Sequence, residues 1–284
     1  MNTKKRDRCL YSKAAKNIIF SVVIALFLLF LLFPFYWMII TSFKPRAEIY
    51  LRPITYWPTN FTLDTYRKLF GHYNFMLYIS NSFIVAACTM ALSLVVSTLA
   101  AYAFCRYEFR GRKFLMGLFL SNNMFPTVLL MIPLFSIMRQ LNLLYTLGGL
   151  VLSYSTFTIP FTVWLIQGYI LDMPFSLEEA ALIDGCNRVN AFVRIFLPIL
   201  TPGLLAAGVY IFMQAWNEYT LSSMFTNPST RTIPVALSSL IGQLGAEWDM
   251  LCAGGSIAVL PVCIMFFFAQ KKLVAGLTSG AVKG

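Results

Sequence analysis

Charged residues are scarce in this sequence. They make up 12% of its 284 residues, whereas hydrophobic residues make up 58%. A typical soluble domain carries about 25% charged residues, so these proportions exclude an ordinary water-exposed fold. The excess apolar surface needs lipid around it, which places the chain among membrane proteins.

Residues suited to catalysis are also few. One histidine, His72, cannot form a catalytic or metal site alone, and the six cysteines have no paired spacing that would indicate disulfides or a zinc site. The sequence also lacks the phosphate-binding loop GxxxxGK followed by Ser or Thr. We therefore predict no catalytic residues, no metal or cofactor bound by this chain, and no enzymatic activity.

Long apolar segments are what the sequence has in abundance. Each is about 20 residues or longer, the length that a helix needs to cross a hydrocarbon core of about 30 Å. They are residues 18–40, 79–104, 114–138, 146–170, 199–225 and 251–270. We predict an all-α membrane protein with a basic N-terminus at 1–17, a domain of six transmembrane helices at 18–270 and a C-terminal tail at 271–284.

The distribution of positive charge predicts the orientation of these helices. Of the 22 Lys and Arg residues, 15 lie in the two termini and in the loops at 105–113 and 171–198. Cytoplasmic loops carry the excess of basic residues, so we predict that both termini are cytoplasmic and that the loop at 41–78 is external. Attraction to anionic lipid accounts for the net charge of +11 without a nucleic-acid partner.

Polar residues inside the apolar segments are candidates for a substrate path. An ionisable residue within a span is a functional candidate by default. The candidates are Asn122, Asn123, Asn217 and Glu218. Glu218 lies near the predicted outer interface, so an interfacial or structurally paired glutamate is the alternative. The predicted spans contain no Lys or Arg, which favours a neutral polar ligand over an anion.

The loop between the fourth and fifth segments has its own pattern. Ser176 and Glu179 have the spacing of a capping box, which predicts a short helix starting there. Gly185 can adopt the left-handed conformation that ends a helix, and a second helical stretch follows at 187–196. We predict a bend at Leu197–Pro198, where the chain enters the fifth segment.

Two short helices that meet at a glycine would form a compact knob. Such a knob can enter a groove on a soluble protein and pass its motion to the membrane helices. An amphipathic loop lying on the membrane surface is the alternative that the spacing leaves open.

Residues of this loop match a known motif. The motif residues are Glu179, Ala180, Ala181, Gly185, Ile195, Leu197 and Pro198. Together they resemble the EAA motif of permease subunits in bacterial binding-protein-dependent ABC importers. Further stretches resemble maltose-type carbohydrate-uptake permeases: TSFKP at 41–45, NSF at 81–83, AYAF at 101–104, WNEY at 216–219 and GLTSGAVKG at 276–284.

This resemblance implies a permease subunit of the bacterial inner membrane that carries a sugar or oligosaccharide. The implied partners are a second, non-identical permease, two ATPase subunits that bind ATP and magnesium, and an extracytoplasmic sugar-binding protein. By similarity, the loop at 171–198 contains the coupling helix, and its motif residues contact the ATPase. The tail residues Gly280, Lys283 and Gly284 are implied as a second ATPase contact.

Two other classes of membrane protein remain as alternatives without an ATPase partner. A secondary transporter would need coupling-ion groups near the middle of the membrane, and usually internal repeats. A channel-type subunit fits the hydropathy but gives no reason for the patterned loop.

Overall fold

The structure, a computed structural model, describes residues 3–122, 124–174, 176–242 and 245–281. Side chains are described from Lys16 to Phe268 within those ranges, and for Gln270. The helices are α1 (Thr3–Ser42), α2 (Arg46–Ile49), α3 (Asp64–Gly71), α4 (Phe75–Arg106), α5 (Arg112–Asn122), α6 (Thr127–Gln140), α7 (Leu147–Leu171), α8 (Ser176–Ile183), α9 (Arg188–Ala191), α10 (Leu197–Trp216), α11 (Thr220–Phe225), α12 (Ile233–Ser238) and α13 (Trp248–Ala281). A π-helical segment, Phe192–Phe196, joins α9 to α10, and strands β1 (Ile241–Gly242) and β2 (Gly245–Ala246) form a two-stranded sheet.

Five helical stretches in the described part of the chain are long and apolar enough to cross a membrane. They are Lys16–Ser42, Phe75–Arg106, Leu147–Leu171, Arg188–Trp216 and Trp248–Phe268. The prediction of a predominantly helical, multi-pass membrane protein is confirmed. α5 and α6 together are a sixth candidate, so the described residues contain five or six candidate membrane spans. The β1–β2 sheet is a small departure from the all-α class.

The third predicted segment, 114–138, is divided into two helices, α5 and α6. α5 and α6 meet at a bend of 104° across the break that follows Asn122. Pro126 lies in this break and is the N-cap residue of α6. Proline has no N–H to donate and disfavours helical geometry at the residue before it, so α5 ends ahead of it.

The fifth predicted segment, 199–225, has the wrong boundaries, and the bend predicted at Leu197–Pro198 is also wrong. One helix runs continuously over Arg188–Trp216, through the π-helical segment. There the Leu197 N–H donates to the Phe192 carbonyl, five residues back. Pro198 follows directly and has no N–H to donate. Because the hydrogen-bond register has already changed at this point, the helix continues past the proline.

The chain divides into two compact units. Unit one comprises Met1–Tyr73 and Gly242–Ile257, and unit two comprises Asn74–Ile241 and Ala258–Gly284. The loop that resembles the EAA motif and the described candidates for a substrate path all belong to unit two.

In unit two, α4, α7 and α10 pack around a shared hydrophobic core. The face of α4 that meets α7 carries small side chains. The Ser93 and Thr158 hydroxyl oxygens are 2.8 Å apart, and the Ser97 hydroxyl donates to the Ile159 carbonyl at 3.2 Å. Small residues let membrane helices approach closely, and their hydroxyl groups bond across the contact. The functional residues on α4, α7 and α10 are therefore held by close helix packing.

In unit one, the segment after α1 folds around Glu48. The Glu48 carboxylate accepts hydrogen bonds from the Thr55 hydroxyl at 2.7 Å, the Thr59 hydroxyl at 2.8 Å and the Thr59 N–H at 3.0 Å. Lys44 donates to the Thr55 carbonyl and lies 4.6 Å from the centre of the Trp37 ring. The hydrogen bonds, led by that from Thr55, hold the pKa of Glu48 below its ordinary value of 4.5.

This segment is expected to loosen at acid pH. With a lowered pKa in the folded state, the ionised Glu48 stabilises the segment at neutral pH, and this stabilisation is lost as the pH falls below 4.5 through the folded-state pKa. We expect Glu48→Gln to reproduce the acid state at pH 7, measured as faster hydrogen exchange at the Thr59 amide. Asp64→Asn is the control, since its side chain is 66% exposed. Unchanged exchange in Glu48→Gln would contradict the prediction.

Candidate functional site

The first candidate site is the segment between α7 and α9, residues 172–187, which we call the α8 loop. Helix α8 begins at Ser176, and the Leu177 N–H in its first turn donates to the Pro174 carbonyl at 3.3 Å. The residue before α8 lies outside the described residues, so the capping box of Ser176 and Glu179 stays a prediction.

Gly185 ends α8 in the left-handed conformation, with φ of +87°. The Cys186 N–H donates to the Ala181 carbonyl at 3.0 Å, and the Gly185 N–H donates to the Leu182 carbonyl at 3.1 Å. These two bonds form a Schellman motif. Because glycine adopts a positive φ without a steric cost, Gly185 fixes the direction in which the chain leaves α8.

Glu178 fastens the α8 loop to the end of α4. Its Oε1 accepts a hydrogen bond from Arg106 Nε at 2.7 Å, and its Oε2 accepts one from the Tyr102 hydroxyl at 3.1 Å. The Arg106 and Glu178 side chains are 10% and 12% exposed. A buried and hydrogen-bonded ion pair loses much of its stabilisation if one partner is displaced. We therefore expect α8 and the end of α4 to move together.

Aromatic rings extend this connection to the next membrane helix. The Tyr102 ring centre lies 4.8 Å from that of Phe192 and 5.0 Å from that of Phe196, both in the π-helical segment. The Arg106 guanidinium lies 5.8 Å from the Phe196 ring centre. π-Helical turns occur frequently at functional sites. The α8 loop, the end of α4 and the π-helical segment of the Arg188–Trp216 helix thus meet in one cluster.

The motif residues of α8 divide between an exposed and a buried face. Glu179, Ala180 and Gly185 are exposed, whereas Ala181 is 2% exposed and faces the chain's own interior. Successive residues of a helix point about 100° apart, so Glu178 and Glu179 cannot share one face. The exposed face of α8 is thus free to contact a protein partner while Glu178 is held inside.

The second candidate site is a cavity of about 240 Å³, which we call the α7–α10 cavity. Its wall comes from the break between α5 and α6, from α7, from the end of α10 and from the start of α11. The lining residues are Asn122, Phe125, Thr127, Tyr154, Phe157, Thr158, Tyr210, Gln214, Ala215, Glu218, Thr220 and Leu221. Irregular backbone at membrane depth is tolerated where it lines such a cavity, which fits the position of the break.

Glu218 has a structural role in the cavity wall. α10 ends at Trp216, and the Glu218 carboxylate accepts hydrogen bonds from the N–H groups of Leu221 at 2.8 Å and Ser222 at 3.0 Å, at the start of α11. Carboxylates at this position satisfy the free N–H groups of a helix's first turn. Glu218 is thus paired with backbone N–H groups and also lines the cavity, so its part in the substrate path stays a prediction.

Tyr154 differs from the other residues of the cavity wall. Its side chain is 3% exposed, and its hydroxyl has no hydrogen-bond partner in the described structure. The hydroxyl lies near Glu218 and Ser222 but is in hydrogen-bond geometry with neither. By contrast, the Gln214 amide nitrogen donates to the Tyr210 hydroxyl at 3.1 Å, so the cavity presents both paired and unpaired polar groups.

These sites lie within a recognised family domain. The family model of the binding-protein-dependent transport system inner membrane component matches residues 93–279, which include the α8 loop and the α7–α10 cavity. The chain belongs to this family. It is therefore a multi-pass membrane component of a binding-protein-dependent transport system.

Characterised members of the family are similar to this chain over most of its length. The sulfoquinovosyl glycerol transport system permease protein SmoH of Agrobacterium fabrum is 37% identical over 89% of each chain. The diacetylchitobiose uptake system permease protein DasC of Streptomyces coelicolor is 36% identical over 89% of this chain and 92% of its own. The trehalose/maltose transport system permease protein MalG of Thermococcus litoralis is 33% identical, covering 95% of this chain and 98% of its own.

The fold is shared with solved importer structures. A chain in the crystal structure of a bacterial ABC transporter involved in the import of the acidic polysaccharide alginate superposes with a TM-score of 0.80 at 21% identity, covering 92% of this chain and 97% of that one. A chain of the alginate ABC transporter in complex with a pentasaccharide-bound periplasmic protein gives a TM-score of 0.62 at 17% identity, covering 93% of each chain. At these identities the likeness establishes the fold.

The structure brings together some of the residues predicted for the substrate path and separates others. Asn122 and Glu218 both line the α7–α10 cavity. Asn217 does not line it. It is the C-cap residue that follows α10, and its side-chain amide donates to the Met213 carbonyl at 2.9 Å. Asn123 lies outside the described residues, as do Lys283 and Gly284 of the tail, while Gly280 lies in α13.

Several residues of these sites were missed from the sequence. Arg106 and Tyr102 are too far from Glu178 in the chain for spacing to pair them. The two adjacent glutamates of α8 could have indicated such a contact, because neighbouring residues of a helix point about 100° apart. The two carboxylates therefore need different partners. Gln214 was a signal too, because it is an amide inside an apolar segment.

Proposed function

We propose that this chain is the permease subunit of an ABC importer that carries a sugar or oligosaccharide across the bacterial inner membrane. The observation that carries the proposal is membership of the transport family over a region that includes the α8 loop. Relatives named for trehalose, maltose and diacetylchitobiose transport support a sugar as the substrate class.

The α8 loop is the proposed coupling helix, docked on an ATPase subunit. Its exposed residues Glu179, Ala180 and Gly185 form the contact, and Glu179 is available to pair with a basic ATPase residue. Of the remaining motif residues, Ala181 is buried inside the loop, and Ile195, Leu197 and Pro198 lie in the helix that follows it. Two ATPase subunits bind ATP and magnesium, and this chain supplies no nucleotide site.

Alternating access is the proposed mechanism. ATP-driven closure of the ATPase pair displaces the α8 loop, and the Glu178–Arg106 pair passes this displacement to α4. A partner shifts such an equilibrium only through contacts that differ between the two states. The α8 loop is where these differential contacts are made, and the membrane helices then open the path to the outside or the inside.

The complete transporter contains further protein partners, and this chain has a defined orientation in the membrane. A second, non-identical permease completes the path, and an extracytoplasmic sugar-binding protein delivers the substrate. Both termini and the α8 loop are cytoplasmic, in keeping with the excess of basic residues on that side. The tail residues Gly280, Lys283 and Gly284 form a second contact with the ATPase.

Co-purification tests this proposal directly. A tagged chain expressed in its native host is expected to bring down an ATPase and a second permease. The reconstituted complex, supplied with its sugar-binding protein, is expected to take up sugar only when ATP is present on the side of the ATPase. Uptake driven by an ion gradient without any ATPase would instead identify a secondary transporter. Passive, ATP-independent flux would identify a channel.

A further inference from the structure

The lining of the α7–α10 cavity combines hydroxyl groups, amides and aromatic rings with a single charged residue. The charged residue is Glu218, and none of the lining residues in the described chain is Lys or Arg. We infer that this cavity is a binding site for an uncharged sugar ring, with Tyr154 and Gln214 as direct ligands, and that it disfavours anionic sugars. This inference rests on the proposed function and specifies the substrate class of the same transporter.

The chemistry of the wall matches a sugar ring. Sugars present hydroxyl groups that both donate and accept hydrogen bonds, together with apolar C–H faces that pack on aromatic rings. Gln214 offers an amide, and Tyr210 is held by Gln214 and by Phe161, whose ring centre lies 4.5 Å away. Pockets that combine apolar walls with a few fixed polar groups are typical of small-molecule sites.

The Tyr154 hydroxyl is the observation that points most directly to a ligand. A buried hydroxyl without a hydrogen bond destabilises a fold, and natural proteins retain few such groups. Here the group belongs to a side chain that lines a cavity and is shielded from water. A sugar hydroxyl that bonds to it supplies the missing partner and removes the cost of the unpaired group, which adds to the affinity.

Electrostatics decide between uncharged and anionic sugars. A carboxylate or sulfonate group about 5 Å from Glu218, at an effective dielectric constant of about 20, is disfavoured by about a hundredfold. The wall offers no Lys or Arg side chain to offset this repulsion among the described residues. An uncharged sugar meets no such penalty.

Calorimetric titration of the complete permease–ATPase complex in nanodiscs tests the inference. The uncharged probes are maltose, trehalose and diacetylchitobiose, and the anionic probe is an alginate disaccharide. We expect at least one uncharged probe to bind, and the anionic probe to bind about a hundredfold more weakly or not at all. Tyr154→Phe and Gln214→Leu are each expected to weaken binding of the uncharged probe by about two- to tenfold, the effect of losing one hydrogen bond.

Thr162→Val is the matched control. Thr162 lies on the same helix as Tyr154, is fully buried and also has a hydroxyl without a partner in the described structure, but it does not line the cavity. We expect this variant to bind the uncharged probe like the wild type. If buried hydroxyl groups only affect the fold, Tyr154→Phe and Thr162→Val would change the binding affinity for the probe by the same factor.

The outcomes separate this inference from the proposed function. If the complex takes up sugar with ATP but Tyr154→Phe and Gln214→Leu bind the probe like the wild type, the cavity is not the sugar site and the importer function stands. Equal binding of the alginate disaccharide, or no binding of any uncharged probe by a complex active in uptake, also overturns the inference. A complex with no ATPase subunit and no uptake overturns the proposed function itself.

Discussion

Gly185→Val is expected to reduce ATP-driven sugar uptake by about tenfold or more. Gly185 has a φ of +87°, a conformation that costs an ordinary L residue about 1–2 kcal/mol and a β-branched one more. Nothing lies within 4 Å of the position where a Cβ would be added, so the effect comes from backbone strain rather than from a clash. The strain opposes the Schellman turn and turns the exposed face of α8 away from the ATPase. Uptake into proteoliposomes and the yield of co-purified ATPase measure this effect.

Two further substitutions make the Gly185 experiment specific. Gly185→Asn is expected to keep most of the uptake, because asparagine tolerates the left-handed conformation. Gly111→Val imposes the same strain at φ of +90°, also in open surroundings, but in the loop between α4 and α5. We expect the Gly111→Val variant to co-purify with as much ATPase as the wild type does. If Gly111→Val lowers ATPase yield as much as Gly185→Val does, the α8 loop is not the docking element.

Glu178→Ala is expected to separate ATP hydrolysis from transport. The substitution removes the carboxylate that faces Arg106 and leaves a buried cation without that partner, at a cost of about 3 kcal/mol to the packing of α8 on α4. The exposed face with Glu179, which is the proposed ATPase contact, is unchanged, so we expect the ATPase to bind still. We expect uptake to fall at least tenfold while ATP hydrolysis continues, and hydrogen exchange in α8 to become faster.

Two control variants distinguish the loss of the Glu178–Arg106 ion pair from a general effect of removing a negative charge. Glu179→Ala is expected to weaken ATPase binding without changing hydrogen exchange in α8, since Glu179 is exposed. Replacing both Glu178 and Arg106 by leucine is expected to restore the slow exchange, because apolar pairs often replace buried ion pairs without loss of stability. If exchange in α8 is the same in Glu178→Ala and the wild type, the ion pair does not hold the loop.

The features that could be predicted from the sequence are those fixed by residues close together in the chain. Hydropathy over about 20 residues predicts a membrane helix because the span must satisfy its backbone internally and cover itself with apolar side chains. The left-handed residue at Gly185 follows in the same way from the short-range geometry of a helix end. The loop motif is also sufficient to indicate the family to which the chain belongs.

Predictions of boundaries and breaks were less successful, for an identifiable reason. The segment 114–138 has a continuous apolar composition, yet its backbone turns through 104° beside Pro126. Pro198 looked like a comparable break, but the helix passes it through a π-helical segment. Whether a proline ends a helix depends on whether neighbouring groups accept the changed hydrogen bonds, and its own sequence context does not contain that information.

The sequence by itself determined the membrane class, most of the apolar spans, the family and the position of the α8 loop. The tertiary structure decided which groups act together. Glu178 meets Arg106 from 72 residues away, and Tyr154 reaches the same cavity wall as Gln214, because α4, α7 and α10 pack closely through small residues. Such contacts depend on the packing of whole helices, and no local pattern of residues specifies that packing.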